Sequence, residues 1–300
     1  MSQLHVLLQI LAQGVSIGGV YALVALGFVL IYKATRVLNF AQGHLVLMGA
    51  YLYFFFAVEL NLNPLLAIAV SSIIAAGIGF SIERFLLRKM LGEPLLSVVM
   101  LTLALTYIIR GSVQILWGGQ YLALEGKTVF PSEALALGPI RLGYPYVGGL
   151  VASLAIVGVF TVFFLKTRTG IAMRAVANDQ QAAFAVGINV FRIFALSWAI
   201  SSVVAVLGGV VLANIFGGVN INFESVGIKV FPAVIIGGLD SVPGAIVGGF
   251  LLGMLESVAK LYLNPVFGGN FHEVFPLLIM LAVLLVKPYG LFGTEEIERL

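Results

Sequence analysis

Residues 1–32 read MSQLHVLLQILAQGVSIGGVYALVALGFVLIY and contain no Asp, Glu, Lys or Arg. An α-helix needs about 20 predominantly apolar residues to cross the hydrocarbon core of a membrane, and this stretch is long enough to do so. It lacks the basic segment and the small-residue cleavage site of a signal peptide, which favours an uncleaved first helix. The opening of the chain therefore predicts a membrane protein.

The composition of the whole chain agrees with this opening. Of the 300 residues, 61% are hydrophobic and 10% are charged, and the mean hydropathy is +1.11. Soluble domains carry about 25% charged residues, so the composition excludes an ordinary cytosolic enzyme and a disordered protein. The absence of cysteine excludes disulfides and thiolate metal sites. The net charge of +3, from only 16 basic residues, is too sparse for a nucleic-acid surface.

Further apolar runs predict the remaining membrane spans. They cover residues 37–58, 60–82, 94–117, 142–165, 193–223, 230–263 and 274–286. Asp240, Pro243 and a glycine cluster interrupt the run 230–263, which we interpret as a broken or re-entrant segment. Backbone amides in lipid must be satisfied within their own segment, and the alternation typical of barrel strands is absent. The pattern predicts an all-α polytopic membrane protein with eight to nine transmembrane helices in one domain, residues 1–300.

The basic residues predict the orientation of these helices. They cluster in residues 33–36, 83–94 and 166–192 and at Lys287, whereas the intervening loops carry few or balanced charges. Because basic loops remain on the cytoplasmic side, we expect the N-terminus outside and the C-terminus inside. This arrangement requires an odd number of crossings and favours nine.

The 35 glycines suggest close helix packing. Two interleaved ladders with small-xxx-small spacing comprise Gly244, Gly248, Gly249 and Gly253. This spacing lets helix backbones approach each other in lipid. A second interpretation is that residues 237–244, GGLDSVPG, unwind a helix inside the bundle. Irregular backbone at membrane depth is tolerated where it is buried in protein or lines a cavity, so this interpretation places Gly237 and Gly238 on a substrate path.

The loop 166–192 predicts a compact cytoplasmic helix. Asn178 or Asp179 can cap a short helix that runs through Ala185, and Gly187 can end it. The apolar side of this helix comprises Ala182, Phe184 and Val186. A helix that lies on a membrane surface usually carries a polar face rich in Lys and Arg, whereas this one carries Asn, Asp and Gln. A protein groove suits it better than a lipid surface.

Several stretches resemble one known family. Residues 181–187, QAAFAVG, are similar to the EAA-x-x-x-G coupling loop of ABC importer permeases, with Gln in place of Glu and without the Ile-x-Leu-Pro that follows. Residues 19–33 and 37–44 resemble the opening of permease subunits of high-affinity branched-chain amino-acid importers. Residues 237–249 and the KPYGLFG stretch 287–293 resemble later parts of the same subunits. The resemblance covers essentially the whole chain.

The resemblance implies a non-enzymatic permease subunit in the bacterial inner membrane that moves branched-chain or related neutral amino acids. It implies as partners a second homologous permease subunit in a heterodimer, with a homodimer as the alternative, two cytoplasmic ATPases and a periplasmic binding protein. ATP and Mg belong to the ATPases, since this chain has no Gly-x-x-x-x-Gly-Lys-Ser/Thr phosphate loop. We expect no cofactor in this chain. The coupling loop would dock the ATPase through Gly170, Arg174, Asp179, Gln181, Ala182, Ala183 and Gly187.

Polar and ionisable residues at membrane depth are costly and usually face a cavity or a partner. Candidates for the translocation path are Asn39, Gln42, His44, Arg110, Gly237, Gly238, Glu256 and Lys260. Glu256 and Lys260 stand at i, i+4, which predicts an ion pair that either joins helices or contacts a zwitterionic substrate. Arg110 either lies in the path or extends towards the outer interface near Trp117.

Other functions remain as alternatives. Relatives of the resembled family also carry urea, short amides and aromatic acids. An ion-coupled secondary transporter would use an intramembrane carboxylate such as Glu256, but it has no reason to carry the loop 166–192. A channel is disfavoured because no repeated polar filter sequence is present. An intramembrane enzyme is weakest, because the chain has neither His-Glu-x-x-His nor Gly-x-Ser-x-Gly.

Overall fold

The structure, a computed structural model, describes residues 3–90, 92–131, 133–137 and 140–293. In these residues the chain forms twelve α-helices: α1 (Gln3–Thr35), α2 (Gln42–Phe54), α3 (Pro64–Phe85), α4 (Leu95–Trp117), α5 (Tyr144–Lys166), α6 (Arg168–Asn178), α7 (Gln180–Ala185), α8 (Val190–Phe216), α9 (Ser225–Gly237), α10 (Val242–Tyr262), α11 (Asn264–Phe267) and α12 (Phe271–Val286). Four short strands form two antiparallel pairs, β1 (Leu122–Ala123) with β4 (Gly218–Val219) and β2 (Ala134–Leu137) with β3 (Ile140–Gly143).

Within the described residues, six helices are long and apolar enough to cross a membrane, namely α1, α3, α4, α5, α8 and α10. The prediction of an all-α polytopic membrane protein is therefore confirmed. The other three predicted spans coincide with the shorter helices α2, α9 and α12. The predicted positions of the two chain termini involve residues 1–2 and 294–300, which lie outside the described residues.

Helix α1 forms the centre of the bundle. Every residue from 18 to 31 is buried, because α5, α8, α9 and α10 pack around it. A helix that is apolar on all sides is suited to such a position. One glycine ladder of α10 faces α1: a Cβ added at Gly249 would clash with the backbone of Ala22, and one at Gly253 would meet Gly18. The other ladder faces α9, since a Cβ at Gly248 would clash with the Ala233 carbonyl. The interpretation of these ladders as close helix packing is confirmed.

Helices α2 and α9 each have 13 residues, which gives a length of about 20 Å against a hydrocarbon core of about 30 Å. Helix α2 continues directly into a π-helical turn, Phe55–Glu59, whereas α9 ends at Gly237. Their N-terminal ends meet inside the protein, where a Cβ added at Gly43 would lie 2.6 Å from the Cα of Gly227. The chain therefore enters the bundle before each of them without an α-helix, through the irregular residues 36–41 and through residues 217–224, which include the strand β4 and a 3₁₀-helical turn, Ile221–Glu224.

The predicted break in residues 230–263 is present. The prediction that it lies inside the bundle is wrong. Helix α9 ends at Gly237, Gly238 has φ +107°, and the side chain of Ser241 caps α10 by accepting from the N–H of Gly244. This turn lies at the end of the bundle, because the Nζ of Lys33, in the last turn of α1, donates to the Asp240 carbonyl at 2.9 Å. The interruptions inside the bundle are the segments that precede α2 and α9.

We expect Gly249→Ala to destabilise the fold by about 1–3 kcal/mol, because its methyl group would overlap backbone that cannot move aside. Gly77→Ala is the matched control, since a Cβ there meets nothing within 4 Å and alanine favours helix over glycine by up to about 1 kcal/mol. Thermal unfolding of the detergent-solubilised protein measures both. Equal midpoints for the two variants would contradict the close α1–α10 contact.

Candidate functional site

A cavity of about 670 Å³ lies between α1, α8, α9, α10 and α12. The first residues of α5 and the last residues of α10 contribute to its wall, so it occupies the half of the bundle opposite to the loop 166–192. Its ionisable lining comprises Tyr21, Tyr121, Tyr146, Lys229, Glu256 and Lys260, joined by His272. Two predicted path residues, Glu256 and Lys260, therefore share one cavity.

Glu256 makes its contacts with other helices. The Tyr21 hydroxyl donates to its Oε2 at 2.5 Å, and the Lys229 ammonium donates to its Oε1 at 2.6 Å. Lys229 also lies 3.7 Å from a carboxylate oxygen of Glu273. The predicted Glu256–Lys260 ion pair is wrong, because Lys229 and Tyr21 occupy both carboxylate oxygens, while Lys260 is an exposed residue two positions from the end of α10.

A second charged cluster lies where α2 and α9 meet. The Arg110 guanidinium of α4 donates through Nη1 to Oε1 of Glu224, the residue that precedes α9. The other oxygen, Oε2, lies 3.2 Å from Nε2 of His44 in the first turn of α2. Arg110 therefore binds Glu224 instead of extending towards Trp117. The structure brings together two predicted residues, His44 and Arg110, through a third that the sequence analysis did not select.

Asn39 and Gln42 are buried next to this cluster. The Asn39 amide donates to Oε1 of Gln42 at 3.1 Å, and its oxygen accepts from the N–H of Ala41 at 3.0 Å. The Ser201 hydroxyl of α8 lies 2.8 Å from the Gly27 carbonyl and 3.1 Å from Oε1 of Gln42. These bonds fix the chain where it enters the bundle before α2. Neither residue lines the cavity.

Gly237 and Gly238 also lie outside the cavity lining. Both are buried, and their surroundings are backbone. A Cβ at Gly237 would clash with Gly244, and one at Gly238 would lie 2.5 Å from the N atom of Gly293. The structure thus gives these two glycines a close-packing role at the end of the bundle.

The loop 166–192 folds into α6 and α7. Gly170 permits close contact with α5, because a Cβ there would lie 2.6 Å from the Phe163 carbonyl. Arg174 reaches back to donate to the Leu165 carbonyl at 3.2 Å. Asp179 caps α7 by accepting from the N–H groups of the two predicted residues Gln181 and Ala182. The predicted capped helix is confirmed.

The end of α7 is fixed by Gly187, which has φ +86°. Its N–H donates to the Phe184 carbonyl, and the N–H of Ile188 donates to the Ala183 carbonyl. These two bonds define a Schellman motif. Ala182, Phe184 and Val186 are exposed as predicted, whereas Ala183 is only 3% exposed. A large residue at Ala183 would disrupt the loop itself, so Ala183 is not suited to a surface test of docking.

Tyr21, Glu224 and Lys229 are site residues that were not predicted from the sequence. Glu224 and Lys229 fall between the predicted spans 193–223 and 230–263, and neither span includes them. The sequence did contain a signal for Glu224 and Lys229. Only six residues, 224–229, separate the two predicted spans, and this is short for a loop that leaves the membrane. Tyr21 offered no signal in an apolar helix, because its role depends on α10 packing beside it.

We expect Lys229→Met to destabilise the protein by about 1–3 kcal/mol, because it removes the cation from a partly buried carboxylate. Lys260→Met is the matched control at the mouth of the same cavity and should change stability by less than about 0.5 kcal/mol. The double variant Lys229→Met/Glu256→Gln should recover much of the loss. Unfolding midpoints in detergent measure all three. A larger loss for Lys260→Met would contradict this pairing.

Comparison with known proteins identifies the family. A sequence model of the family described as branched-chain amino acid transport system / permease component matches residues 10–284. The chain is 30% identical to the high-affinity branched-chain amino acid transport system permease protein BraD of Pseudomonas aeruginosa, over 100% of both chains. It is 30% identical to the corresponding permease protein LivH of Escherichia coli, over 97% of each. It is 31% identical to a probable branched-chain amino acid transport permease protein LivH of Methanocaldococcus jannaschii, over 93% of this chain and 90% of that one.

The matched region starts in the first third of α1 and ends inside α12, so it contains the cavity, the Arg110–Glu224 cluster and the α6–α7 loop. The chain therefore belongs to the family of branched-chain amino acid transport system permease components.

Proposed function

We propose that this chain is the transmembrane permease subunit of an ABC importer that moves branched-chain or related neutral amino acids across the bacterial inner membrane. The observation that carries the proposal is the match over the full length to permeases named for branched-chain amino acids. The proposed partners are a second homologous permease subunit, two ATPases that bind ATP and Mg, and a periplasmic binding protein. In this proposal residues 1–300 form one permease domain without a cofactor of its own.

The geometry of α7 supports docking of an ATPase. Phe184 is 67% exposed on a six-residue helix whose two ends are fixed by Asp179 and Gly187. A rigid apolar side chain that projects from the end of a bundle is suited to a pocket of another protein. The helix carries no Lys or Arg, which distinguishes it from helices that bind lipid surfaces.

The contacts between loops support one common cytoplasmic end. Arg88, in the second basic segment, donates to the Phe191 carbonyl at the start of α8. Gln180 at the start of α7 donates to the Ala34 carbonyl at the end of α1. In the proposed topology α2 and α9, each together with the segment that precedes it, count as crossings. With α12 and the six long helices they give nine.

We expect the N-terminus outside and the loop 166–192 and the C-terminus inside. Single cysteines at Ser2, Thr169 and Thr294 test this in a chain without native cysteine. A membrane-impermeant thiol reagent applied from the periplasmic side should label only position 2, and the other two should react after permeabilisation. Labelling of position 169 or 294 from the periplasmic side would overturn the topology.

We expect Phe184→Asp to lower co-purification of the ATPase by about tenfold or more, because a charge replaces an apolar contact in a docking site. Phe267→Asp is the matched control, since Phe267 is 63% exposed at the opposite end of the bundle.

The wild-type complex, reconstituted with its binding protein, should take up leucine in an ATP-dependent manner, with urea and benzoate as competing substrates. Full ATPase recovery with Phe184→Asp, or uptake of urea or benzoate without leucine, would contradict the corresponding part of the proposal.

A further inference from the structure

Helix α4 exposes a polar stripe to its surroundings. Tyr107, Arg110 and Gln114 follow each other at i, i+3 and i+7 and therefore share one side of the helix. Tyr107 is 77% exposed and the Arg110 side chain is 45% exposed. The neighbouring side is apolar, with exposed Ile108 and Ile115, and its polar residue, Ser112, satisfies itself by donating to the Ile108 carbonyl. The third side of α4 is buried against the bundle.

The stripe lies at membrane depth. Tyr107 is the thirteenth of the 23 residues of α4, and seven residues, or about 10 Å, separate Arg110 from Trp117 at the helix end. A charged side chain that faced lipid at such a depth would be costly. A Cβ added at Gly111, which lies between Tyr107 and Gln114 on this side, would meet nothing within 4 Å. No described residue of this chain therefore packs against the stripe at Gly111.

The polar groups of the stripe are only partly satisfied within the described residues. Arg110 has one hydrogen-bonded partner there, Glu224, which accepts from one guanidinium nitrogen, although a guanidinium carries five N–H donors. The Tyr107 hydroxyl has no hydrogen-bond partner among these residues. In the cavity, by contrast, the Glu256 carboxylate accepts from both Lys229 and Tyr21. Within the described residues, Arg110 and Tyr107 of α4 thus keep donors that are exposed and not yet used.

We propose that the α4 stripe lines the water-filled translocation path and that Arg110 binds the carboxylate of the transported amino acid there. Glu224 acts as a positioning residue, since it holds one side of the guanidinium and leaves the other side for a carboxylate, which guanidinium groups bind in a two-point geometry. A lipid phosphate would satisfy Arg110 from the headgroup region, but it would not reach Tyr107, which lies about 4.5 Å deeper. The carboxylate assignment rests on the proposed function.

The first experiment measures water access in the assembled complex. Tyr107→Cys and Gln114→Cys place thiols on the stripe, and Ile108→Cys and Ile115→Cys are matched controls one residue further along α4. A charged thiol reagent applied to both sides of the membrane reacts only with a hydrated thiolate. We expect the stripe positions to react about tenfold faster or more than their controls. Equal rates within each pair, or an unreactive Tyr107→Cys, would show that lipid or protein covers the stripe.

The second experiment separates transport from folding. Arg110→Gln and the double variant Arg110→Gln/Glu224→Gln should each lower ATP-dependent leucine uptake per folded complex by about tenfold or more. The double variant should regain folded yield, because it leaves no unpaired charge. The control pair is Arg88→Gln/Glu83→Gln, which removes another Arg–Glu ion pair and should leave uptake per folded complex unchanged.

The outcomes are distinguishable. Normal leucine uptake per folded complex in the double variant would overturn the role of Arg110. A similar loss in the control pair would show a general effect of removing ion pairs and would overturn it as well. A wild-type complex that takes up urea but not leucine would overturn the proposed function and, with it, the carboxylate assignment, while the cysteine rates would still decide whether the stripe lines the path.

Discussion

The contact between Gly43 and Gly227 sets the depth at which two short helices begin, and the charges around it follow from that contact. Each helix N-terminus presents unsatisfied N–H groups and a partial positive charge. Two of them that meet inside a membrane favour a negative group nearby. Glu224 lies directly before α9, with His44 of α2 and Arg110 of α4 at its two oxygens. Its side chain does not cap α9, so the carboxylate joins α2 and α4 to the start of α9 through side-chain contacts.

Helix α9 connects the two charged clusters. Its N-terminal end lies at Glu224, and Lys229, little more than one turn later, reaches Glu256 on α10. Glu256 in turn accepts from Tyr21 of α1, so the central helix, α9 and α10 share one carboxylate. Because an ionised group at membrane depth requires a partner, these bonds restrict how α9 can rotate relative to α1 and α10.

The sequence predicts the features of this protein that depend on local or composition-based signals. Long apolar runs predict α1, α3 and α8 because a spanning helix satisfies its own backbone, and Asp179 and Gly187 predict the limits of α7 because capping involves only neighbouring residues. The predicted spans 37–58 and 230–263 cover α2 and part of α9, but the points at which these helices start escape prediction, since an apolar chain that enters the bundle outside an α-helix has the same hydropathy as a helix. The partner of Glu256 was predicted wrongly for a related reason. The i, i+4 spacing that favours Lys260 is local, whereas Lys229 comes close to Glu256 only through tertiary packing.

The end of α9 is held by the segment 290–293. Its last carbonyls have no partners within the helix, but the N–H of Leu291 donates to the Ile236 carbonyl at 2.7 Å and the N–H of Phe292 donates to the Gly237 carbonyl at 3.0 Å. Gly238 and Gly293 allow this approach because neither carries a side chain. Backbone N–H groups of Leu291 and Phe292 thus satisfy the last carbonyls of α9. The segment around residues 290–293 is accordingly part of the structure that holds Glu224 and Lys229 in position, although it lies at the opposite end of α9 from Glu224.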